Sequence, residues 1–192
     1  MTASAWSPPP AEAQVHVLGS LSVSTIGVSI AVPEPWGSEL QRFRVGVGDE
    51  SARRIPTHIT LLPPHEVADE DLDEIVAHLD DVSRLTVAFR VHLRGTGTFR
   101  PVSPVVFVNV VEGISYCEQL AADVRSGPLV VEEGFPYHPH VTVAHEVPEA
   151  TLERAFVELE AYDAEFAVEQ FWLYLHDRSL GWQPARSFPL GQ

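Results

Sequence analysis

The sequence predicts an α+β fold in which helices cover the outer faces of β-sheets. One observation is the order of its elements. From residue 58 onward, apolar segments typical of strands are interspersed with stretches of helical periodicity, in the order strand, helix, strand, strand, helix, strand, helix, strand. The other is a pair of similar short segments that lie 82 residues apart, at positions 58 and 140. This weak internal symmetry is what two duplicated lobes would leave.

The elements of the first part of the chain follow in order. Residues 25–32 form an apolar run that predicts the first strand, and a short helix is predicted over residues 35–45. Residues 58–62 predict a strand closed by Pro63-Pro64. The clearest helix is predicted over residues 69–82, because apolar residues recur there at helical spacing and acidic residues occupy the first turn, where the helix dipole favours them.

The second part of the chain continues the same pattern. Strands are predicted at residues 85–93, 105–111, 140–144 and 166–175, and helices at 114–124 and 152–159. Gly95 and Gly97 are expected to break the first of these strands, and Gly127-Pro128 to stop the first helix. An irregular end containing Trp182 and Pro189 is expected. Residues 1–20 predict a flexible tail, which leaves one domain of two lobes over residues 21–192.

The composition limits the classes of function. The chain has 192 residues and a formal net charge of −15, and its 12 basic residues are all arginine, so it is not expected to bind duplex DNA. A short anionic ligand held at one focused site remains compatible with that charge. The single cysteine, Cys117, excludes an intramolecular disulfide and any multi-cysteine zinc site. No targeting or membrane-spanning segment is recognisable, so we expect a cytoplasmic monomer without membrane contact.

The two similar segments each contain histidine, an apolar residue and threonine. The first is His58-Ile59-Thr60, and the second is His140-Val141-Thr142. Side chains at positions i and i+2 of a strand project from the same face, so each segment would present an imidazole and a hydroxyl together. Two such strands facing each other would place two imidazoles and two hydroxyls around a central hollow.

This set of groups suits a phosphodiester substrate. Histidine titrates near neutral pH, so one ring can accept a proton from an attacking water or hydroxyl while the other donates a proton to the departing oxygen. The hydroxyls of Thr60 and Thr142 could donate hydrogen bonds to the non-bridging phosphoryl oxygens, where negative charge must be held. The arrangement requires no metal and no cofactor.

With both His-x-Thr motifs in apolar strand contexts and bracketed by prolines, the sequence resembles the 2H phosphoesterase superfamily. Within it, the similarity is to the bacterial 2′-5′ RNA ligase-like and RNA 2′,3′-cyclic phosphodiesterase group. The resemblance implies a bilobal, pseudo-two-fold arrangement of antiparallel sheets around a central cleft. It also implies that His58 and His140 are the acid–base pair, that Thr60 and Thr142 hold the phosphate, and that a 2′,3′-cyclic phosphate is opened, usually to a 2′-phosphate. Supporting segments lie at residues 28–33, 95–99, 135–144 and 187–191.

Three further residues are candidates for binding the rest of the substrate. Tyr137 and Phe99 flank the motifs and could stack on a base, although packing at a strand end is an equal interpretation for Phe99. Arg100, beside the glycine turn, could supply positive charge. A zinc site at His138, His140 and His145 is the alternative interpretation of the second segment, but the neighbouring carboxylates follow no recognisable ligand spacing.

The expected substrate is a small nucleotide or an RNA terminus with a 2′,3′-cyclic phosphate. Two alternatives remain open from the sequence. One is an enzyme that joins RNA ends through a 2′-5′ linkage, which the strong acidity disfavours for a long RNA footprint. The other is a nucleotide-binding module of the same fold without catalysis, which the retention of both histidines and both threonines disfavours.

Overall fold

The computed structural model describes residues 22–131 and 134–191. Its helices and strands, in chain order, are β1 (Val23–Ala31), α1 (Trp36–Gly46), β2 (His58–Ala68), α2 (Leu72–Leu85), β3 (Phe89–Thr98), β4 (Val105–Glu112), α3 (Ile114–Val124), β5 (His140–His145), α4 (Glu149–Glu158), β6 (Asp163–Val168), β7 (Gln170–Asp177) and β8 (Gly181–Pro189). Short 3₁₀ turns cover Glu50–Arg53, Asp69–Asp71 and Gly127–Leu129. The predicted tail at residues 1–20 lies outside the described residues.

The strands form one antiparallel sheet in the order β6-β3-β4-β5-β2-β1-β7-β8. We call β8, β7, β1 and β2 the first half of the sheet and β5, β4, β3 and β6 the second half. The halves meet at β2 and β5, where Ile59 pairs with Val141. The predicted α+β fold of antiparallel strands is confirmed, with the difference that the two halves form one continuous sheet rather than separate sheets.

Alternation along the strands separates an apolar face from an open face. Ile59, Leu61, Val141 and Val143 are fully buried in the core. The four helices cover this apolar face, and they cross between the halves: α1 packs on β5, and α3 packs on β2. The opposite face carries the residues between these core positions, including both His-x-Thr motifs.

Strand β2 does not end at the two prolines, contrary to the sequence prediction. It continues through Pro63 and Pro64 to Ala68. On the neighbouring strand Ile26 pairs with His65 and Val28 pairs with Leu62, so both prolines lie at a bulge. At a bulge a proline need not donate a ladder hydrogen bond, so the strand tolerates both residues.

Strand β3 begins later and extends further than predicted. Leu85 belongs to α2, and β3 runs through Gly95 and Gly97 without a break. Gly95 has φ +62° and lies where the pairing with β4 shifts, which is a bulge that favours glycine. Gly97 lies against the ring of Phe107, which occupies the space that a Cβ atom would need. Both glycines therefore serve a strand rather than terminate it.

The predicted single strand over residues 166–175 is wrong, because two strands occupy this region. Strand β6 belongs to the second half and β7 to the first half. The alternation of buried side chains shifts by one residue between the strands, from Phe166 and Val168 in β6 to Phe171 and Leu173 in β7. In the sequence, the apolar residues of both strands therefore look like one continuous segment. The predicted irregular end is strand β8, which pairs with β7 at the edge of the sheet, where its prolines are tolerated.

The predicted helices are present, with ends that differ by a few residues. Cys117 is buried in α3, and burial raises the pKa of its thiol to about 12, which confirms a core residue rather than a nucleophile. Within residues 22–131 and 134–191, no helix combines the length and apolar character needed to span a bilayer.

Candidate active site

The two His-x-Thr motifs lie on neighbouring strands at the centre of the sheet. Ile59 and Val141, the middle residues of the motifs, pair with each other in antiparallel register. In antiparallel register, His58 and Thr142 flank this pair at one end and Thr60 and His140 flank it at the other, with all four side chains on the same face. His58 is also near enough to His140 to affect its pKa. All four side chains are partly exposed on the open face. The structure therefore brings together the four predicted residues.

The ring of His58 is fixed by two hydrogen bonds to residues two positions before and two positions after it. Its Nδ1 donates to the carbonyl oxygen of Pro56 at 2.6 Å, and Nε2 lies 3.1 Å from Oγ1 of Thr60. Because a carbonyl only accepts, the proton of the neutral ring is on Nδ1. The hydroxyl of Thr60 then donates to Nε2, which is the atom left with a lone pair on the open face.

The ring of His140 is held in the same way. Its Nδ1 donates to the carbonyl oxygen of His138 at 2.7 Å, two residues before it, as Pro56 lies two residues before His58. This repeated contact is the local counterpart of the symmetry seen in the sequence. It assigns the same tautomer to both rings and directs Nε2 of each away from the backbone.

Both imidazoles have a lowered pKa. Burial lowers the pKa of His140 to about 4, and repulsion from His138 and His58 adds to the effect, although the hydrogen bond to the His138 carbonyl opposes it. Burial also lowers the pKa of His58, with a smaller contribution from the guanidinium of Arg44. At neutral pH both rings are thus uncharged in the ligand-free protein, and an anion placed between them would favour protonation of one.

Tyr137 lies just before the second motif in the chain and is hydrogen-bonded to the first motif. Its hydroxyl donates to the carbonyl oxygen of Thr60 at 2.8 Å. The guanidinium of Arg125 lies over its ring at 4.8 Å from the centroid, and Nε of Arg125 donates to the carbonyl oxygen of Leu61 at 2.6 Å. These contacts position β2 beside β5, and one face of the Tyr137 ring is covered by Arg125.

The side chains of Phe99 and Arg100 contact different parts of the protein. The ring of Phe99 contacts that of His140 edge-on, with centroids 5.0 Å apart. Arg100 instead donates to Thr98 and forms ion pairs with two acidic residues of α4, Glu149 and Glu153. The structure therefore brings Phe99 to the histidine pair, whereas the contacts of Arg100 tie the end of strand β3 to α4.

A cavity of about 140 Å³ adjoins His58 and Thr60 on the open face of the first half. Its walls include Trp182, which the sequence predicts to lie in an irregular end, outside any site. The sequence carries a signal for a close contact here, although the signal does not identify Trp182. Gly27 interrupts an apolar strand, and such a glycine often marks the close approach of another group.

The alternative of a zinc site receives no support from the arrangement of ligands. The rings of His138 and His140 lie nearly parallel with centroids 6.2 Å apart. Across residues 22–131 and 134–191, no group of three histidine, cysteine, aspartate or glutamate side chains is placed to hold a metal ion.

The fold and the paired motifs define the class of protein. LigT of Escherichia coli, crystallised with 3′-AMP, superimposes with a TM-score of 0.64 at 20% identity, covering 89% of this chain and 100% of LigT. A protein of Thermus thermophilus superimposes with a TM-score of 0.65 at 26% identity, covering 88% of this chain and 99% of that one. The fold is thus that of the LigT-like 2H phosphoesterases.

The chain belongs to the 2′-5′ RNA ligase superfamily, whose family model matches residues 32–180. Curated relatives agree with this membership. A Bacillus cytotoxicus protein named "Putative phosphoesterase" is 29% identical over 140 residues, which are 72% of this chain and 81% of the relative. A relative from Oceanobacillus iheyensis with the same kind of name is 26% identical over 140 residues, 72% of this chain and 82% of its own. The resemblance stated from the motifs is therefore confirmed.

Proposed function

We propose that this phosphoesterase opens 2′,3′-cyclic phosphates of small nucleotides or RNA termini by acid–base catalysis with His58 and His140, without a metal ion. The observation that carries the proposal is the pair of imidazoles with matching tautomers. Each has Nδ1 engaged by a backbone carbonyl, which leaves Nε2 directed away from the backbone, and Nε2 of His58 lies next to the hydroxyl of Thr60. LigT has been crystallised with phosphate and with 3′-AMP, ligands of the chemical class proposed here.

The reaction needs one neutral and one protonated imidazole. One ring takes a proton from water as the water oxygen bonds to phosphorus, and the other gives a proton to the ribose oxygen as its bond to phosphorus breaks. Both rings are mainly neutral in the free protein at pH 7, so one of them must take up a proton from solvent when the substrate binds. The bound phosphodiester anion favours this protonation, because a nearby negative charge raises the pKa of an imidazole.

The threonine hydroxyls hold the phosphoryl oxygens in this proposal. In the free protein the hydroxyl of Thr60 donates to Nε2 of His58. When a phosphoryl oxygen enters, this hydroxyl can donate to the oxygen instead and release Nε2 for proton transfer. Thr142 lies in the equivalent position of the second motif. Donors aimed at developing charge commonly contribute about 2.7–4 kcal/mol to transition-state stabilisation.

The direct test is hydrolysis of 2′,3′-cyclic nucleotides by the protein and by His58→Ala and His140→Ala, with the product isomer identified by chromatography. We expect each substitution to lower kcat by about a hundredfold or more, since a positioned acid or base commonly contributes that much. His92→Ala, at a histidine of β3 that contacts Asp163 and Glu165 rather than either motif, is the control and should keep full turnover. Circular dichroism spectra of the variants serve as the control for correct folding.

Three results would contradict the proposal. Full turnover by either motif variant would show that its imidazole moves no proton in the reaction. Loss of activity in EDTA that zinc restores would show a metalloenzyme instead. A 2′-5′ junction formed from tRNA halves at low enzyme concentration, without hydrolysis of cyclic nucleotides, would favour RNA end joining as the principal activity.

A further inference from the structure

The cavity beside the first motif suggests how the remainder of the substrate is bound, given the function proposed above. It holds about 140 Å³ and is bordered by His58 and Thr60 on one side and by Trp182 and Tyr174 on the other. Apolar atoms provide most of its surface. An apolar cavity with a few polar groups next to reactive side chains is typical of a ligand site.

The two halves of the open face differ at this position. In the second half, the rings of Phe99 and Phe107 lie 5.0 and 4.9 Å from that of His140 and fill the space beside the motif. In the first half the corresponding space beside His58 is open. Among the residues that the structure describes, the open space for a nucleoside attached to a phosphate between the histidines thus lies on the first half.

The indole of Trp182 forms a flat wall of the cavity. It lies over Gly27, where a Cβ atom would be 3.2 Å from its Cζ3 atom. The backbone N–H of Trp182 donates to the carbonyl oxygen of Arg54 at 3.0 Å, and its indole contacts the ring of His176 with centroids 5.1 Å apart. These contacts position the indole at the wall of the cavity, where an aromatic ring can stack on a base.

The cavity also has a polar edge. Ser29 and Tyr174 are only 7% and 8% exposed, and each carries a hydroxyl group. Both side chains line the cavity. Hydroxyls donate and accept, so this pair can bind the carbonyl and amino groups at the edge of a base. A purely apolar occupant would leave these groups unused.

The size of the cavity favours one ring. Its volume is close to the roughly 150 Å³ of an enclosed apolar cavity that binds benzene, a single six-membered ring, whereas this cavity is partly open to solvent. We infer that this cavity binds the substrate's base, stacked on Trp182 with its polar edge at Ser29 and Tyr174, and selects a single-ring pyrimidine over a purine.

The test compares kcat/KM for the four 2′,3′-cyclic nucleotides with that for ribose 2′,3′-cyclic phosphate, which has no base. We expect the cytidine and uridine substrates to exceed the purine substrates and the base-free compound by about tenfold, since stacking of one base is worth roughly that factor. In Trp182→Ala the ratio of cytidine to base-free substrate should fall about tenfold, mainly through KM. Trp172→Ala, at the other tryptophan of the first half, is the matched control and should retain the ratio, because Trp172 does not line this cavity.

A second variant addresses the case in which Trp182→Ala does not fold. Gly27→Ala adds a methyl group against the indole and narrows the cavity, so it should lower the same ratio. Equal kcat/KM with and without a base, a preference for purines, or an unchanged ratio in a folded Trp182 or Gly27 variant would overturn the inference while leaving the proposed function intact.

Failure of the proposed function would be distinguishable. If the protein opens no cyclic phosphate, binding of cytidine 2′-monophosphate and adenosine 2′-monophosphate can be followed by NMR chemical shifts. Tighter binding of the cytidine compound that is lost in Trp182→Ala would support the base site without catalysis. Equal affinities, or no binding, would overturn it.

Discussion

Replacing His140 should change how the stability of the protein depends on pH. Burial lowers the pKa of His140 to about 4 from its ordinary value of 6.5, so between these values the unfolded chain binds a proton that the folded protein excludes. The folded state therefore loses stability as the pH falls below 6.5. His140→Gln keeps a polar side chain but has no proton to bind, so this part of the loss disappears.

The size of the effect follows from the two pKa values. Near pH 5 the unfolded histidine is almost fully protonated and the folded one is almost fully neutral, which corresponds to at most about 2 kcal/mol. This value is an upper limit because solvent reaches part of the ring. Between pH 7 and pH 5, the unfolding free energy of the unsubstituted protein should therefore fall by about 1–2 kcal/mol more than that of the variant.

Urea unfolding at several pH values in phosphate-free buffer measures this difference. The control is His176→Gln, which replaces an exposed histidine of β7. Stability curves of the unsubstituted protein and His140→Gln that stay parallel from pH 7 to pH 5 would refute the reasoning, because a His140 with an ordinary pKa would contribute no such difference.

Three other perturbations have expected outcomes. Inorganic phosphate should raise the pKa of His140, measured by NMR titration of its ring protons, and an unchanged pKa at saturating phosphate would argue against an anion site there. Asp49→Ala leaves the guanidinium of Arg44 buried without its partner, since the two side chains are 1% and 3% exposed, and should cost about 3–5 kcal/mol in urea unfolding, whereas a cost below about 1 kcal/mol would contradict a buried pair. Gly97→Ala should cost about 1–3 kcal/mol, because its Cβ would overlap the ring of Phe107, and a neutral result would show that the ring moves freely.

The sequence predicted the parts of the fold that depend on local periodicity. Helices α2 and α3 carry apolar stripes at helical spacing, and the His-x-Thr strands alternate between core and open face. The errors at the ends of β2 and β3 have a common physical cause. Gly95, Pro63 and Pro64 are local signals for a break, but pairing with neighbouring strands absorbs them in bulges, and pairing is not visible from one segment alone.

The same distinction between local patterns and strand pairing explains which residues of the candidate site could be predicted. His58 and His140 could be proposed because a repeated motif is a local pattern. Trp182 could not, because it reaches the first motif only through β8, which is brought there by the pairing of β1 with β7 and of β7 with β8. Tyr137 was identified as a candidate, but its hydrogen bond to the backbone of Thr60 depends on the approach of β5 to β2.

The strand order has a consequence for biosynthesis. The chain builds β1 and β2 first, then all four strands of the second half, and returns to the first half only with β7 and β8. During translation, the strands of the second half can therefore pair while β1 still has an uncovered edge. The cavity wall at Trp182 is completed last, so a ribosome-bound nascent chain that stops before Gly181 should carry both histidines yet lack the surface proposed to stack on a base.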